Sequence, residues 1–160
     1  MIYACLEKDL PKAVPATEKG TLLISVCPRV KKSMKLGWGW LDYSSALGPI
    51  PLDPKCYDKK GYIDYKKYKN SQTAKFGTKE LVSFHKNFGS VLLVCSCPDV
   101  RNCHITNFIA PGIHSHGLIP KVFAEGKFGP YTQHLKGPAR KFKGKHGYYQ
   151  RRWIPKWIMR

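Results

Sequence analysis

The stretch TKELVSFHKNFGSVLLVCSC, residues 78–97, decides the fold that the sequence predicts. In its first half, Leu81, Phe84 and Phe88 recur at the spacing of one helix face. A threonine can cap the first turn, and a glycine can end the helix directly after the last apolar residue. The sequence therefore predicts a helix over residues 79–88, with Leu81 and Phe84 in the core.

The second half of this stretch is typical of a buried strand. Residues 90–97 are rich in leucine and β-branched side chains, follow the helix stop and end at a proline, so Leu92 and Val94 are expected in the core. A second strand is predicted over residues 103–109, and the two strands could form a hairpin. A turn is then expected at the Pro-Gly pair that follows, and an earlier strand over residues 21–27.

These elements predict a small single domain of the α+β class. The domain would contain a short antiparallel sheet or hairpin, one well-defined helix, and long irregular segments such as residues 44–69. We divide the chain into a body with an extended N-terminal segment, residues 1–125, and an extended basic C-terminal arm, residues 126–160.

The charge of the chain indicates the chemistry of its partner. The chain has 160 residues, with 28 Lys and Arg against 10 Asp and Glu, and a net charge of +18. A compact protein of this charge repels itself unless a polyanion lies nearby, so an anionic partner is expected. The longest apolar runs are far shorter than the roughly 20 residues of a transmembrane helix, so no membrane span is predicted.

The arm concentrates positive charge and aromatic side chains. From residue 135 onward there are nine Lys and Arg and no acidic residue. Cations neutralise phosphates, and aromatic faces stack on unpaired bases, so this mixture favours RNA over a solvated tail or a contact with anionic lipid or acidic protein. The predicted RNA-binding residues are Lys136, Arg140, Lys141, Lys143, Lys145, Tyr148, Tyr149, Arg151, Arg152 and Trp153.

The segment KGPARKFKGKHGYYQRRW, residues 136–153, resembles the basic arms of ribosomal proteins as a class, although it matches no specific ribosomal family. The resemblance implies a structural subunit that binds ribosomal RNA and neighbouring protein subunits. The absence of a familiar ribosomal sequence favours an organellar ribosome. The expected location is therefore the mitochondrial matrix side, although residues 1–20 contain no cleavable targeting sequence or export signal.

Two other non-catalytic functions fit the same composition. One is a soluble accessory subunit of a mitochondrial inner-membrane respiratory or ATP synthase complex, in which the cations meet lipid headgroups or acidic neighbours. The other is a small zinc-bearing RNA-binding module. An enzyme is not expected, because the sequence has no P-loop, nucleophile elbow, dinucleotide fingerprint or H-E-x-x-H motif.

Soft metal ligands are concentrated at Cys95, Cys97, Cys103 and His104. Residues two apart on a strand share a face, so the first two cysteines could point together toward the last two residues. The C-x-C spacing is nevertheless unusual for zinc, and adjacent residues of the second predicted strand would face opposite sides. The favoured interpretation is therefore buried reduced cysteines with no cofactor, and zinc or a disulfide are the alternatives.

Three further histidines lie outside this group, at positions 85, 114 and 116. His114 and His116 could add imidazole ligands if the hairpin folded back, but polar loop residues are the favoured interpretation. His85 is expected at the surface or at the edge of the core.

Overall fold

The computed structural model describes residues 1–26, 40–42, 55, 67, 71–97, 99–101 and 103–134. The predicted RNA-binding residues of the arm, and nearly all of the predicted irregular segment 44–69, lie outside these ranges. The strands are β1 (Ile2–Leu6), β2 (Leu22–Ser25), β3 (Trp40–Asp42), β4 (Val91–Cys95), β5 (Lys121–Ala124) and β6 (Lys127–Pro130). The α-helices are α1 (Leu10–Ala13), α2 (Gln72–Phe88) and α3 (Ala110–His114). Shorter helical segments are the 3-10 turns Glu7–Asp9, Val14–Ala16 and Tyr131–His134 and the π-helical turn Ile105–Ile109.

The described strands form one sheet with the order β3-β2-β4-β1-β5-β6. All neighbours pair in parallel except β5 and β6, which are antiparallel. β4 lies between β2 and β1, and all five of its residues are buried. Continuous rather than alternating burial is expected for a parallel strand covered on both faces.

The broad prediction of a small α+β domain is confirmed, but the sheet is six-stranded and mainly parallel rather than short and antiparallel. Helix α2 contains the predicted segment and begins seven residues before it, and β4 and β2 lie within the predicted strands. β1, which occupies the interior of the sheet, was not predicted from its short apolar run. None of the helices in the described ranges is long and apolar enough to cross a membrane.

The predicted hairpin between residues 90–97 and 103–109 is wrong. β4 pairs in parallel with β1 and β2, and residues 105–109 form a helical turn that leads into α3. Ile105, Ile109 and Ile113 recur every four residues and are almost fully buried, so their spacing was a helical signal. The antiparallel hairpin is instead β5–β6, whose two turn residues both have positive φ, as a two-residue hairpin turn requires.

The predicted turn at Pro111 and Gly112 is also wrong, because both residues lie in α3. The proline occupies the first turn of this helix, where its missing N–H costs no hydrogen bond. A Cβ at Gly112 would lie 3.3 Å from Cγ2 of Thr78, so the glycine allows α3 to approach α2 closely.

The predicted core is largely correct. Leu81, Leu92 and Val94 are completely buried, whereas Phe84 is partly buried and packs at the edge of the core. Phe88, which shares the predicted helix face, is 70% exposed. The interior face of α2 is therefore centred on Leu81 and its neighbours rather than on the aromatic positions.

Replacing Leu81 by Ala should lower the free energy of unfolding by about 2–5 kcal/mol, because the side chain is fully enclosed and leaves a cavity. Phe88→Ala, on the same helix, should change it by about 0.5 kcal/mol or less, because the ring is exposed. Urea denaturation of both variants tests the assignment. Equal losses for the two variants would show that α2 buries a different face.

Candidate metal centre

The predicted cysteine and histidine group comes together at the carboxyl end of β4. Cys95 is the last residue of the strand, Cys97 follows it, and Cys103 and His104 come after a short loop. The four potential ligand atoms all lie within 4.8 Å of one another, and all four residues are buried. The carboxyl edge of a parallel sheet is where such folds normally place their binding sites.

A helical segment that begins after the loop explains how Cys103 and His104 can both lie near Cys95 and Cys97. One of the two sequence arguments against zinc assumed that Cys103 and His104 lie on a strand and face opposite sides. Instead, His104 has helical backbone angles, φ −66° and ψ −26°, and the helical segment begins there. Both side chains can then turn toward the end of β4.

Two close contacts define the geometry of the centre. Sγ of Cys95 lies 3.0 Å from Sγ of Cys103, and Sγ of Cys97 lies 3.3 Å from Nδ1 of His104. Two ligands bound tetrahedrally to one zinc ion lie roughly 3.3–3.8 Å apart, as follows from bond lengths of about 2.0–2.3 Å. The observed separations fit such a site after shifts of less than about 1 Å.

A backbone hydrogen bond selects the ring nitrogen that faces the sulfurs. Nε2 of His104 lies 2.9 Å from the carbonyl oxygen of Val26, the residue directly after β2. A carbonyl can only accept, so Nε2 carries a proton, and Nδ1 is the ring nitrogen that faces Cys97. Metal-binding histidines are commonly oriented by this kind of contact to a carbonyl or carboxylate.

Asn107 holds the loop that brings the second pair of ligands back to β4. Its Nδ2 donates to the carbonyl oxygens of Cys103 at 2.8 Å and Arg101 at 2.9 Å. The amide N–H of Cys103 donates to the carbonyl of Val100 at 3.3 Å. These bonds fix the path of the chain into the helical segment, and so the position of the ligands.

The electrostatics of the centre favour one thiolate among protonated thiols. Hydrogen bonds from the thiols of Cys103 and Cys95, and then the neighbouring His104, hold the pKa of Cys97 far below its usual range. Burial raises the pKa of Cys95 and of Cys103 well above the ordinary value. Burial also raises the pKa of Cys5, a thiol outside the group.

The other candidate residues do not join this centre. Nδ1 of His114 lies 2.8 Å from the hydroxyl of Tyr131, and both His114 and His116 are exposed. His85 lies 3.1 Å from the carbonyl oxygen of Gly89 at the end of α2, consistent with the predicted position at the core edge.

Sequence reasoning missed the two residues that orient the ligands. Asn107 lies four positions after Cys103, which is the spacing of one helical turn. A predicted helix here would have placed Asn107 next to Cys103. Val26 contributes only its backbone and lies 78 residues from His104, so no local pattern indicates it.

Comparison with known proteins adds no assignment to this geometry. No protein-family model matches the chain, and no curated protein or solved structure is significantly similar to it.

If zinc occupies this centre, replacing Asn107 by Ala should weaken its affinity about 10- to 100-fold, because the ligand loop loses two hydrogen bonds that position it. A competition titration with a chromophoric chelator measures this change. Asn87→Ala, at an exposed position of α2, is the matched control and should leave the affinity unchanged. Unchanged affinity in the Asn107 variant would show that the loop is held by other contacts.

Proposed function

We propose that the protein is a zinc-stabilised RNA-binding protein with a structural rather than a catalytic role. The observation that carries the proposal is the convergence of three buried thiols and one oriented imidazole within 4.8 Å. The sequence favoured metal-free buried cysteines because the C-x-C spacing is unusual for zinc, because free cysteines are commonly buried, and because a strand was expected at residues 103–109. Of these grounds, the strand does not form.

The donor set favours zinc over a hard cation. Thiolate sulfur and imidazole nitrogen are soft or borderline ligands, and three cysteines with one histidine form a common structural zinc set. Four protein ligands would fill the tetrahedron, so no coordination position would remain for a substrate or a reactive water. The burial of all four residues supports the same closed, structural role.

Zinc would join parts of the chain that are distant in sequence. Cys95 ends the central strand, His104 contacts the residue after β2, and the ligand pair begins the helical segment that leads to α3. The energy of metal binding would therefore contribute to the stability of the carboxyl edge of the sheet.

The net charge of +18 supports RNA as the partner. Nine of the basic residues follow residue 135, where aromatic side chains lie between them. The resemblance of residues 136–153 to ribosomal arms favours a structural subunit of an organellar ribosome, with ribosomal RNA and neighbouring subunits as its contacts. Copurification with lipid instead of RNA would favour the accessory subunit of a mitochondrial inner-membrane complex.

The purified protein should contain one zinc ion per chain, and removal by a chelator should lower the thermal unfolding temperature. Cys97→Ser should abolish stoichiometric zinc. Cys5→Ser changes another buried cysteine outside the group and should retain it. Elemental analysis with calorimetry measures both effects. A metal-free protein that neither takes up zinc nor changes stability with chelator would contradict the zinc proposal.

RNA binding should depend steeply on salt. If about six cations of the arm contact phosphate, the log-log slope of affinity against salt should be near −4, at about 0.7 per contact. Deleting residues 136–160 should flatten this slope in a fluorescence titration with single-stranded RNA. Equal slopes for the full chain and the truncated chain would show that the arm is not the RNA-binding element.

A further inference from the structure

We infer that helix α2 carries a second contact surface for single-stranded RNA, formed by Lys75, Lys79 and Lys86 with Phe76 beside them. The inference rests on the proposed function in taking RNA as the partner. Unlike the arm, this surface lies on a helix of the folded body.

The three lysines lie along one line of the helix. At about 100° per residue, Lys75, Lys86 and Lys79 project within roughly 40° of one another. All three are exposed. Their positions span about 16 Å along the helix axis, from a rise of about 1.5 Å per residue, so the row could engage several nucleotides.

Burial along α2 separates this row from the core. Gly77, Thr78, Leu81 and Val82 are buried and occupy the side of the helix that faces the rest of the domain. The lysines and the neighbouring Ser83 are exposed, and the lysine row borders the buried side, since Val82 projects only about 20° from Lys75. The row is therefore open to a partner without rearrangement of the helix.

Within α2, no acidic side chain lies on the line of the three lysines. Glu80 is the single acid in the α2 sequence, and it projects about 100° away from Lys79. Three cations on one line create a local positive potential that attracts phosphates and releases their counterions on binding.

Phe76 provides an aromatic face next to the lysines. Its side chain is 63% exposed, which is a large apolar exposure for a surface helix, and it projects about 60° from Lys79. Unpaired bases stack on such rings whatever their sequence, whereas bases in a duplex are already stacked. The pairing of an exposed ring with a lysine row therefore favours single-stranded RNA.

The same helix supplies a matched aromatic control. Phe88 is equally exposed, at 70%, but it lies about 120° around the helix from Phe76. It also packs against the ring of Phe84, with the ring centroids 5.5 Å apart. If bases stack on the lysine side of α2, loss of the Phe76 ring should weaken RNA binding, whereas loss of the Phe88 ring should not.

The charge test compares two triple variants of the full chain on an unstructured polyuridine oligonucleotide. Replacing Lys75, Lys79 and Lys86 by Gln should reduce the steepness of the salt slope by about 2, and affinity about 10- to 100-fold at physiological salt. The control replaces Lys12, Lys19 and Lys127 by Gln, three exposed lysines outside both α2 and residues 136–160, for the same loss of charge. The control triple should change the salt slope of affinity by less than half of the change caused by the α2 triple.

The stacking test uses single variants on the same oligonucleotide. Phe76→Ala should weaken binding about 5- to 150-fold, as expected for the loss of one stacked base, with an unchanged salt slope. Phe88→Ala should bind like the unaltered protein. Unchanged thermal unfolding confirms that each of these surface variants is folded.

The outcomes separate this inference from the function on which it rests. Equal losses for the two lysine triples would mean that binding follows net charge, which overturns the α2 surface but leaves RNA binding intact. The same conclusion follows if the α2 triple and Phe76→Ala bind normally. Failure of the unaltered protein to bind the oligonucleotide would instead overturn RNA binding itself, and with it the α2 surface.

Discussion

The hydrogen bond from Nε2 of His104 to the carbonyl of Val26 joins two residues 78 positions apart, and the site depends on it. It anchors the start of the helical segment after β4 to the end of β2, the strand next to β4. It also fixes the orientation of the imidazole ring, so that Nδ1 faces Cys97. A backbone carbonyl is well suited to orienting the ring, because the position of the carbonyl is set by the sheet and not by a mobile side chain.

Burial of β4 explains why the sulfur atoms require partners. The strand is enclosed on both faces, so Cys95 lies where a charged or unsatisfied group is costly. Apolar cysteines could fill such positions singly, as Cys5 does in β1. Three sulfurs and an imidazole in one buried group are different, because a thiolate there needs donors or a cation. The observed hydrogen bonds supply donors, and a metal would supply the stronger interaction.

The local elements could be predicted from sequence, and their pairing could not. The period of α2 and the apolar run of β4 are encoded within a few residues, which is why both were found. Parallel pairing of β4 with β1 depends on residues almost 90 positions away, and a short loop before residue 103 resembles a hairpin connection equally well. That error counted against a shared site for the four candidate ligands, because on a strand Cys103 and His104 diverge, whereas at the start of a helix both can reach β4.

The candidate metal centre and the proposed RNA surface of α2 are linked through α3, which follows the ligand pair and packs against α2. The ligand pair begins the segment that continues through the buried Ile105 and Ile109 into α3, and Gly112 of α3 packs directly against Thr78. Thr78 lies between Lys75 and Lys79 in sequence but faces inward, so the lysine row rests on the segment that the ligands anchor. Close packing between these residues transmits a displacement along the segment. A metal bound at the end of β4 would therefore hold α3 in place and, through the Gly112 contact, fix the height and orientation at which α2 presents its cations.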